Sequence, residues 1–197
     1  MKKIHLEYPQ LSTSKNKILI FGKNSTLSKK FFSIIEKDKF KIDRVSRKEI
    51  NFNSKNYRSK LKKKITKFNP DIIVNFIGKF DLNESASKEL LLLNILPTWE
   101  IIRFFLKKKK IKKINLVIIG SSSYNSPRKK YMLYAASKAG LNSLIASAKE
   151  YFKDTQILVK IYNPSTFGGK HIKNYNKKIK EDINKVAKKI YNYIKTN

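Results

Sequence analysis

From Lys17 onward, short apolar runs alternate with longer stretches in which apolar residues recur every three to four positions. The runs Lys17–Gly22, Phe40–Ser46, Asp71–Ile77, Ile114–Gly120 and Gln156–Tyr162 are nearly continuous in apolar residues, the pattern of strands buried on both faces. A shorter strand is expected at Glu49–Phe52. The intervening periodicity predicts helices over Thr26–Lys37, Lys55–Phe68, Ser85–Lys110, Tyr131–Phe152 and Lys178–Ile194. Asn69-Pro70 ends the second of these, because proline drives the residue before it out of the helical region. Strands alternating with helices argue a parallel sheet covered on both faces. Right-handed crossovers then predict a doubly wound α/β sheet of about six strands, ordered 3-2-1-4-5-6. Residues 1–16, with Pro9 and a Ser/Thr/Asn cluster, read as an irregular lead, and 17–197 as a single domain.

Composition narrows the chemistry. With 197 residues and 41% apolar content, the chain can bury one ordinary core. It has no cysteine, which removes disulfides, thiol catalysis and Cys-based zinc sites. Only His5 and His171 offer imidazole, in no ligand-like spacing, so no metal site is expected. The start lacks the apolar core and cleavage site of a signal peptide. The most apolar stretch, Leu90–Leu106, is interrupted by Asn94, Glu100 and Arg103 and suits a half-buried helix better than a membrane span. A cytoplasmic protein is the expectation.

The formal charge is +31. Such an excess suits nucleic acid or an anionic surface. Yet only five of the 45 basic residues are arginine, the residue that grips phosphate and guanine in two-pronged fashion, and the lysines spread along the chain. Abundant Lys, Asn and Ile also follow from an AT-rich coding sequence. Nucleic-acid binding is therefore not the expected role.

In a doubly wound sheet, ligands bind beyond the carboxyl ends of the strands. The residues at those tips are Gly22-Lys23-Asn24, Ser46-Arg47, Asn75 to Gly78, Ser121-Ser122-Ser123 and Asn163-Pro164-Ser165-Thr166. All five tips gather small and polar residues. Just downstream, Tyr134-Ala135-Ala136-Ser137-Lys138 opens a long helix. A spacing of four stacks Tyr134 and Lys138 on one helix face. An ammonium near a phenol favours the phenolate and lowers a pKa otherwise near 10, as general acid–base catalysis requires. Taken alone, that spacing is equally at home on an ordinary helix surface. Ser121 changes the odds, since it ends the preceding strand and brings a hydroxyl to the same region.

The stretch Leu116-Val117-Ile118-Ile119-Gly120-Ser121, followed by Tyr134-Ala-Ala-Ser-Lys138-Ala139-Gly140-Leu141, resembles the catalytic strand and helix of the short-chain dehydrogenase/reductase family. Asp71-Ile-Ile-Val-Asn75-Phe-Ile-Gly78 resembles that family's Asn-Asn-Ala-Gly strand, and Asn163-Pro164-Ser165-Thr166 its Pro-Gly loop. The resemblance runs from about Lys17 to Ile194 and implies a Rossmann-type domain binding NAD(P). It implies that Tyr134 is the proton donor or acceptor, and that Lys138 lowers its pKa and binds the nicotinamide ribose. It further implies that Ser121 polarises a substrate carbonyl and that Asn94 orders a water beside Lys138. The function implied is hydride transfer between a nicotinamide cofactor and a small carbonyl or alcohol, with a sugar-like or other polar substrate as a guess.

Two regions depart from the family pattern. Its phosphate loop reads Gly-x-x-x-Gly-x-Gly, whereas here the run is Gly22-Lys23-Asn24-Ser25-Thr26-Leu27-Ser28. The amides at Thr26 and Leu27 and the charge of Lys23 remain available to a pyrophosphate. At the second strand tip, Ser46-Arg47-Lys48 precedes any carboxylate, which favours NADP over NAD, and Asn51 stands where the family often has aspartate. Cofactor contacts are thus expected from Gly22, Lys23, Asn24, Thr26, Leu27, Ser46, Arg47, Asn75, Gly78, Tyr134, Lys138, Pro164 and Thr166. The segment after Thr166 is short for the extra helices and seventh strand of longer members, so the pocket is expected to be open or completed by another chain. The helices Ser85–Lys110 and Tyr131–Phe152 are the expected homodimer surface. The rival reading is a catalytically degenerate relative that senses cofactor or scaffolds.

Overall fold

A computed structural model describes residues 16–81, 87–108, 112–126, 128–167 and 181–195. Strands β1 (Lys17–Phe21), β2 (Lys41–Val45), β3 (Ile72–Asn75), β4 (Ile114–Ile119) and β5 (Ile157–Tyr162) form one parallel sheet in the order β2-β1-β3-β4-β5. Helices α1 (Thr26–Ile35), α2 (Tyr57–Phe68), α3 (Ser87–Leu106), α4 (Met132–Tyr151) and α5 (Ile183–Lys195) connect and cover it. A single 3-10 turn, Ser122–Asn125, follows β4.

Side chains alternate across each strand and build two cores. On one face Leu19, Phe21, Ile73, Leu116, Ile118 and Val159 pack against α2, α3 and α4. On the other, Ile18, Ile20, Val74, Val117 and Ile119 meet α1 through Leu27, Phe31 and Ile35, and α5 through Val186, Ala187, Ile190 and Ile194. Double-sided burial is why these strands read as unbroken apolar runs. Asn69 closes α2 in the left-handed conformation (φ 50°), directly before Pro70.

The strand expected at Glu49–Phe52 is a turn. The Glu49 and Ile50 amides both return to the Ser46 carbonyl, and the Glu49 carboxylate accepts from the Ser46 amide (2.8 Å) and hydroxyl (2.9 Å). Ile50 and Phe52 still bury their side chains in the core, so the alternation was real but served packing rather than pairing. Without that segment, the expected strand order reduces to the one observed. The other elements differ from expectation by a few residues at their ends. The lead through residue 15, and the expected helix ends at Ser85, Lys110 and Lys178, fall outside the described residues.

The turn after β1 shows which glycine the fold requires. Gly22 sits at φ +84°, and a Cβ there would lie 3.0 Å from the Ile77 nitrogen and the Phe76 carbonyl carbon, both main chain. Ser28 replaces the last glycine of the family loop and lies fully buried between α1 and the sheet, its Oγ without a hydrogen-bond partner. Opposite outcomes are expected for the two sites in urea unfolding. Ser28→Ala removes an unsatisfied buried hydroxyl and should stabilise by about 1 kcal/mol. Gly22→Ala should destabilise by about 1–2 kcal/mol from its dihedral alone, with the main-chain contact adding to that.

Candidate active site

Parallel pairing sets the tips of β1, β3, β4 and β5 side by side. Above them lies a cleft of about 320 Å³. Asn24, Thr26 and Leu27 reach it from the start of α1, Gly78 from the loop after β3, and Ser121 from the end of β4. Tyr134 and Lys138 on α4 face it, and Pro164 and Thr166 enter from the loop after β5. Nine of the expected site residues therefore converge.

Tyr134 and Lys138 share one face of α4, with the Lys138 Nζ 5.7 Å from the centre of the Tyr134 ring. Ser121, Ser122 and Ser123 all line the cleft with Tyr134, and the Ser121 hydroxyl is the one of the three that bears on ionisation of the phenol. Ser121 Oγ also caps the 3-10 turn by accepting the Ser123 amide at 3.2 Å. Protein groups alone do not pull the phenol down as the Tyr–Lys spacing predicts. Burial pushes it up, the Ser121 hydroxyl opposes this, and Tyr131 adds a smaller upward push. The ammonium feels the same environment: burial lowers Lys138 from 10.5 to about 8. Desolvation thus brings the lysine toward neutrality while keeping the phenol protonated.

The remaining expected residues stand around the cleft rather than on it. Asn75 is buried, donates to Thr98 Oγ1 at 2.9 Å and accepts the Ile77 amide at 3.0 Å, thereby shaping the turn that leads to Gly78. Asn94 accepts the Lys79 amide at 2.8 Å and donates to the Lys79 carbonyl at 3.0 Å and to Ser137 Oγ at 2.8 Å. Its side chain braces the loop after β3 against α3 and α4. A Cβ at Gly78 would sit 3.1 Å from Asn94 Oδ1 and 3.3 Å from Lys138 Nζ, so glycine is what lets both polar groups approach this loop.

At the β2 tip, the hydroxyl and amide of Ser46 are held by Glu49, whose carboxylate also pairs with Lys23 at 3.2 Å and Lys64 at 3.6 Å. Despite burial, which pushes the other way, the Ser46 hydrogen bonds and Lys23 lower the Glu49 carboxyl to about 2. Arg47 pairs with Glu89 at 3.1 Å, and Lys79 holds the other oxygen of that carboxylate at 2.7 Å. Arg44 donates to the Lys23 carbonyl at 3.0 Å, anchoring the turn that carries Gly22.

Several contributors gave no warning in the sequence. Phe80 packs edge-on against Tyr134 (4.8 Å) and Tyr131 (5.5 Å), making an aromatic wall beside the phenol. Ser137 lay within the Tyr-Ala-Ala-Ser-Lys run but had no assigned task; it accepts from Asn94 and donates to the Tyr134 carbonyl at 2.7 Å.

The residues present suit a dinucleotide. Gly22 keeps the main chain low over the strand ends, as a close-lying pyrophosphate requires. The amides of Thr26 and Leu27 belong to the first turn of α1, where no intrahelical acceptor exists, while Ser25 caps only the Ser28 amide at 3.1 Å. A metal has no comparable cradle: among the described residues, no three His, Asp or Glu side chains gather. Among those residues, too, no helix is long and apolar enough to cross a membrane.

The depressed lysine has a measurable consequence. An unfolded Lys138 holds its proton until about pH 10.4, whereas in the folded chain it titrates at about 8. Between these values the unfolded state binds more protons, so folding stability from this group rises with pH. Urea unfolding from pH 8 to 10 should show a gain in wild type that Lys138→Met lacks.

The chain's architecture is shared with solved structures of low sequence identity. A short chain dehydrogenase from Burkholderia cenocepacia in complex with NADP superposes with a TM-score of 0.80 at 12% identity, covering 92% of this chain and 85% of that one. A 4-hydroxyisoleucine dehydrogenase complexed with NADH gives 0.76 at 19% identity, with 91% and 90% covered. ElxO with NADP bound gives 0.76 at 20%, with 90% of each chain covered. No curated protein matches by sequence. The model of the short chain dehydrogenase family matches residues 49–180, a span that runs from the Glu49 turn through the Ser121, Tyr134 and Lys138 elements; the chain belongs to that family.

Proposed function

We propose that the protein is an NAD(P)H-dependent oxidoreductase acting on a small carbonyl or alcohol, with Ser121, Tyr134 and Lys138 as its catalytic residues. The observation that carries this reading is the convergence of a hydroxyl, a phenol and an ammonium on one cleft, with the Lys138 Nζ 5.7 Å from the centre of the Tyr134 ring. Of the three structural relatives named above, two carry NADP and one carries NADH. Bound in the cleft, a nicotinamide dinucleotide would supply or accept the hydride.

The start of α1, with Asn24, Thr26 and Leu27, would hold its pyrophosphate over Gly22, assisted by the charge of Lys23. Gly78, Lys138 and Tyr134 would border the nicotinamide ribose, with Pro164 and Thr166 alongside the ring. In the reducing direction Tyr134 Oη donates its proton to the substrate oxygen, and Ser121 Oγ hydrogen-bonds the same oxygen. Burial keeps the phenol protonated until it is called upon. The Lys138 ammonium then sits one helical turn away to stabilise the phenolate that remains. Asn94 contributes as a positioning residue, because its side chain is committed to Lys79 and Ser137.

Arg47 at the β2 tip favours NADP, since it can exchange Glu89 for a 2′-phosphate. The exposed Leu91, Trp99 and Tyr151 on α3 and α4 suit the homodimer expected of these helices.

Titration of the protein with NADPH, followed by fluorescence, should show saturable binding. Failure to bind at millimolar cofactor would exclude both a catalytic and a sensing role. Tyr134→Phe should still bind NADPH while turnover on a panel of aldehydes and ketones falls on the order of 10²-fold or more. Equal turnover in the variant would remove Tyr134 as the acid, and binding without any wild-type turnover would favour the sensing or scaffold role. Arg47→Ala should weaken NADPH by about tenfold, the equivalent of one lost charged contact, and leave NADH nearly unchanged.

A further inference from the structure

Behind the cleft wall, two asparagine side chains join the three elements that carry the site. Asn163, the residue after β5, accepts the Ser121 main-chain N–H on Oδ1 at 2.9 Å. Its Nδ2 donates to Asn142 Oδ1 at 2.8 Å. Asn142, on α4, donates from Nδ2 to the Lys138 carbonyl at 2.9 Å and, at 3.4 Å, to Asn163 Oδ1. The connection runs from the amide of the β4 tip, through the β5 tip, to the helix turn that presents Tyr134 and Lys138. Each step dictates the next. An Asn163 oxygen turned to Ser121 leaves its NH2 facing Asn142, and an Asn142 oxygen turned to receive it leaves an NH2 for Lys138.

The main chain alone does not hold Ser121 in place. The flanking amides reach the neighbouring strand end, Gly120 to the Tyr162 carbonyl (2.8 Å) and Ser122 to the Pro164 carbonyl (2.9 Å). The Ser121 amide between them is met by a side chain instead, the Asn163 Oδ1. Gly120 makes room for this. A Cβ on residue 120 would stand 1.9 Å from Asn163 Oδ1. Neither asparagine is among the residues that line the cleft.

We infer that Asn163 and Asn142, with Gly120 as their clearance, are positioning residues that set the Ser121 hydroxyl against Tyr134. The inference rests on the catalytic reading above and adds to it the device that aligns the β4 tip with α4.

The test reads Tyr134 itself. Its phenol is followed by NMR titration of ring-labelled tyrosine, assigned with Tyr134→Phe, alongside NADPH affinity and turnover of whichever panel carbonyl wild type reduces fastest. Ser121→Ala should move the Tyr134 titration upward, because the hydroxyl favours the phenolate. Asn163→Ala and Asn142→Ala should move it the same way, lower kcat by about tenfold, and leave NADPH affinity within about twofold. Asn142→Ala keeps a good helix former on α4, so it is informative even if Asn163→Ala folds poorly. Gly120→Ala should be as damaging as Asn163→Ala, and the double variant close to Asn163→Ala alone, since the 1.9 Å clash is gone and only the flexible end of Ile161, at 3.0 Å, must give way. If Ser121→Ala shifts Tyr134 while both asparagine variants titrate like wild type, the inference is overturned and the catalytic reading stands. If Ser121→Ala itself leaves Tyr134 unmoved, the catalytic reading fails, and the inference with it.

Discussion

Parallel pairing of strands buried on both faces imposes the geometry from which everything else follows. Register places Phe21 opposite Asn75, Asn75 opposite Ile118, and Ile119 opposite Tyr162. The chain therefore leaves β1, β3, β4 and β5 at nearly the same level, along one edge of the sheet. Beyond that edge the ladder ends within a residue or two, so the remaining polar groups must be satisfied by loops, helix ends or a ligand. The cleft occupies that edge for this reason. Its residues come from five separate stretches of chain, brought together by the register and by the packing of α1 and α4.

The reduced glycine content of the first loop becomes intelligible against this constraint. A glycine is irreplaceable where the main chain is left-handed or where another main chain lies within contact distance. Gly22 meets both conditions against Phe76 and Ile77. Thr26 and Ser28 lie in the regular turns of α1, where any residue can adopt the dihedrals. Their side chains alter the volume over the strand ends without breaking the fold. Ser28 is accommodated between helix and sheet at the expense of an unpartnered hydroxyl.

Electrostatics at the site are governed by burial more than by pairing. Tyr134 and Lys138 are both driven toward their neutral forms by loss of water, and the Ser121 hydroxyl works against that drive at the phenol. In a chain of charge +31 most lysines among the described residues stay outside the buried interior, and only Lys79 and Lys138 line the cleft among them. Only Lys138 and Lys160 are buried among the described residues. The carboxylates are few, and several are occupied in neutralising cations near the cleft: Glu49 holds Lys23 and Lys64, and Glu89 holds Arg47 and Lys79.

The sequence by itself determined the fold class, the strands and the helix that carries Tyr134 and Lys138, because apolar period and the Tyr134–Lys138 spacing are local properties of the chain. It placed Ser121, Gly78 and the 164–166 loop at strand ends for the same reason. It misjudged Glu49–Phe52, where alternation of Ile50 and Phe52 imitates a strand but the Glu49 carboxylate turns the chain back on Ser46. Tertiary structure alone decided the rest. Asn163 and Asn142 lie 21 residues apart, Asn94 and Ser137 43 apart, and Phe80 reaches Tyr134 across a longer stretch of chain than either. Such partners leave no periodic trace, because a hydrogen bond between side chains depends on where two elements pack and not on the residues adjacent to either.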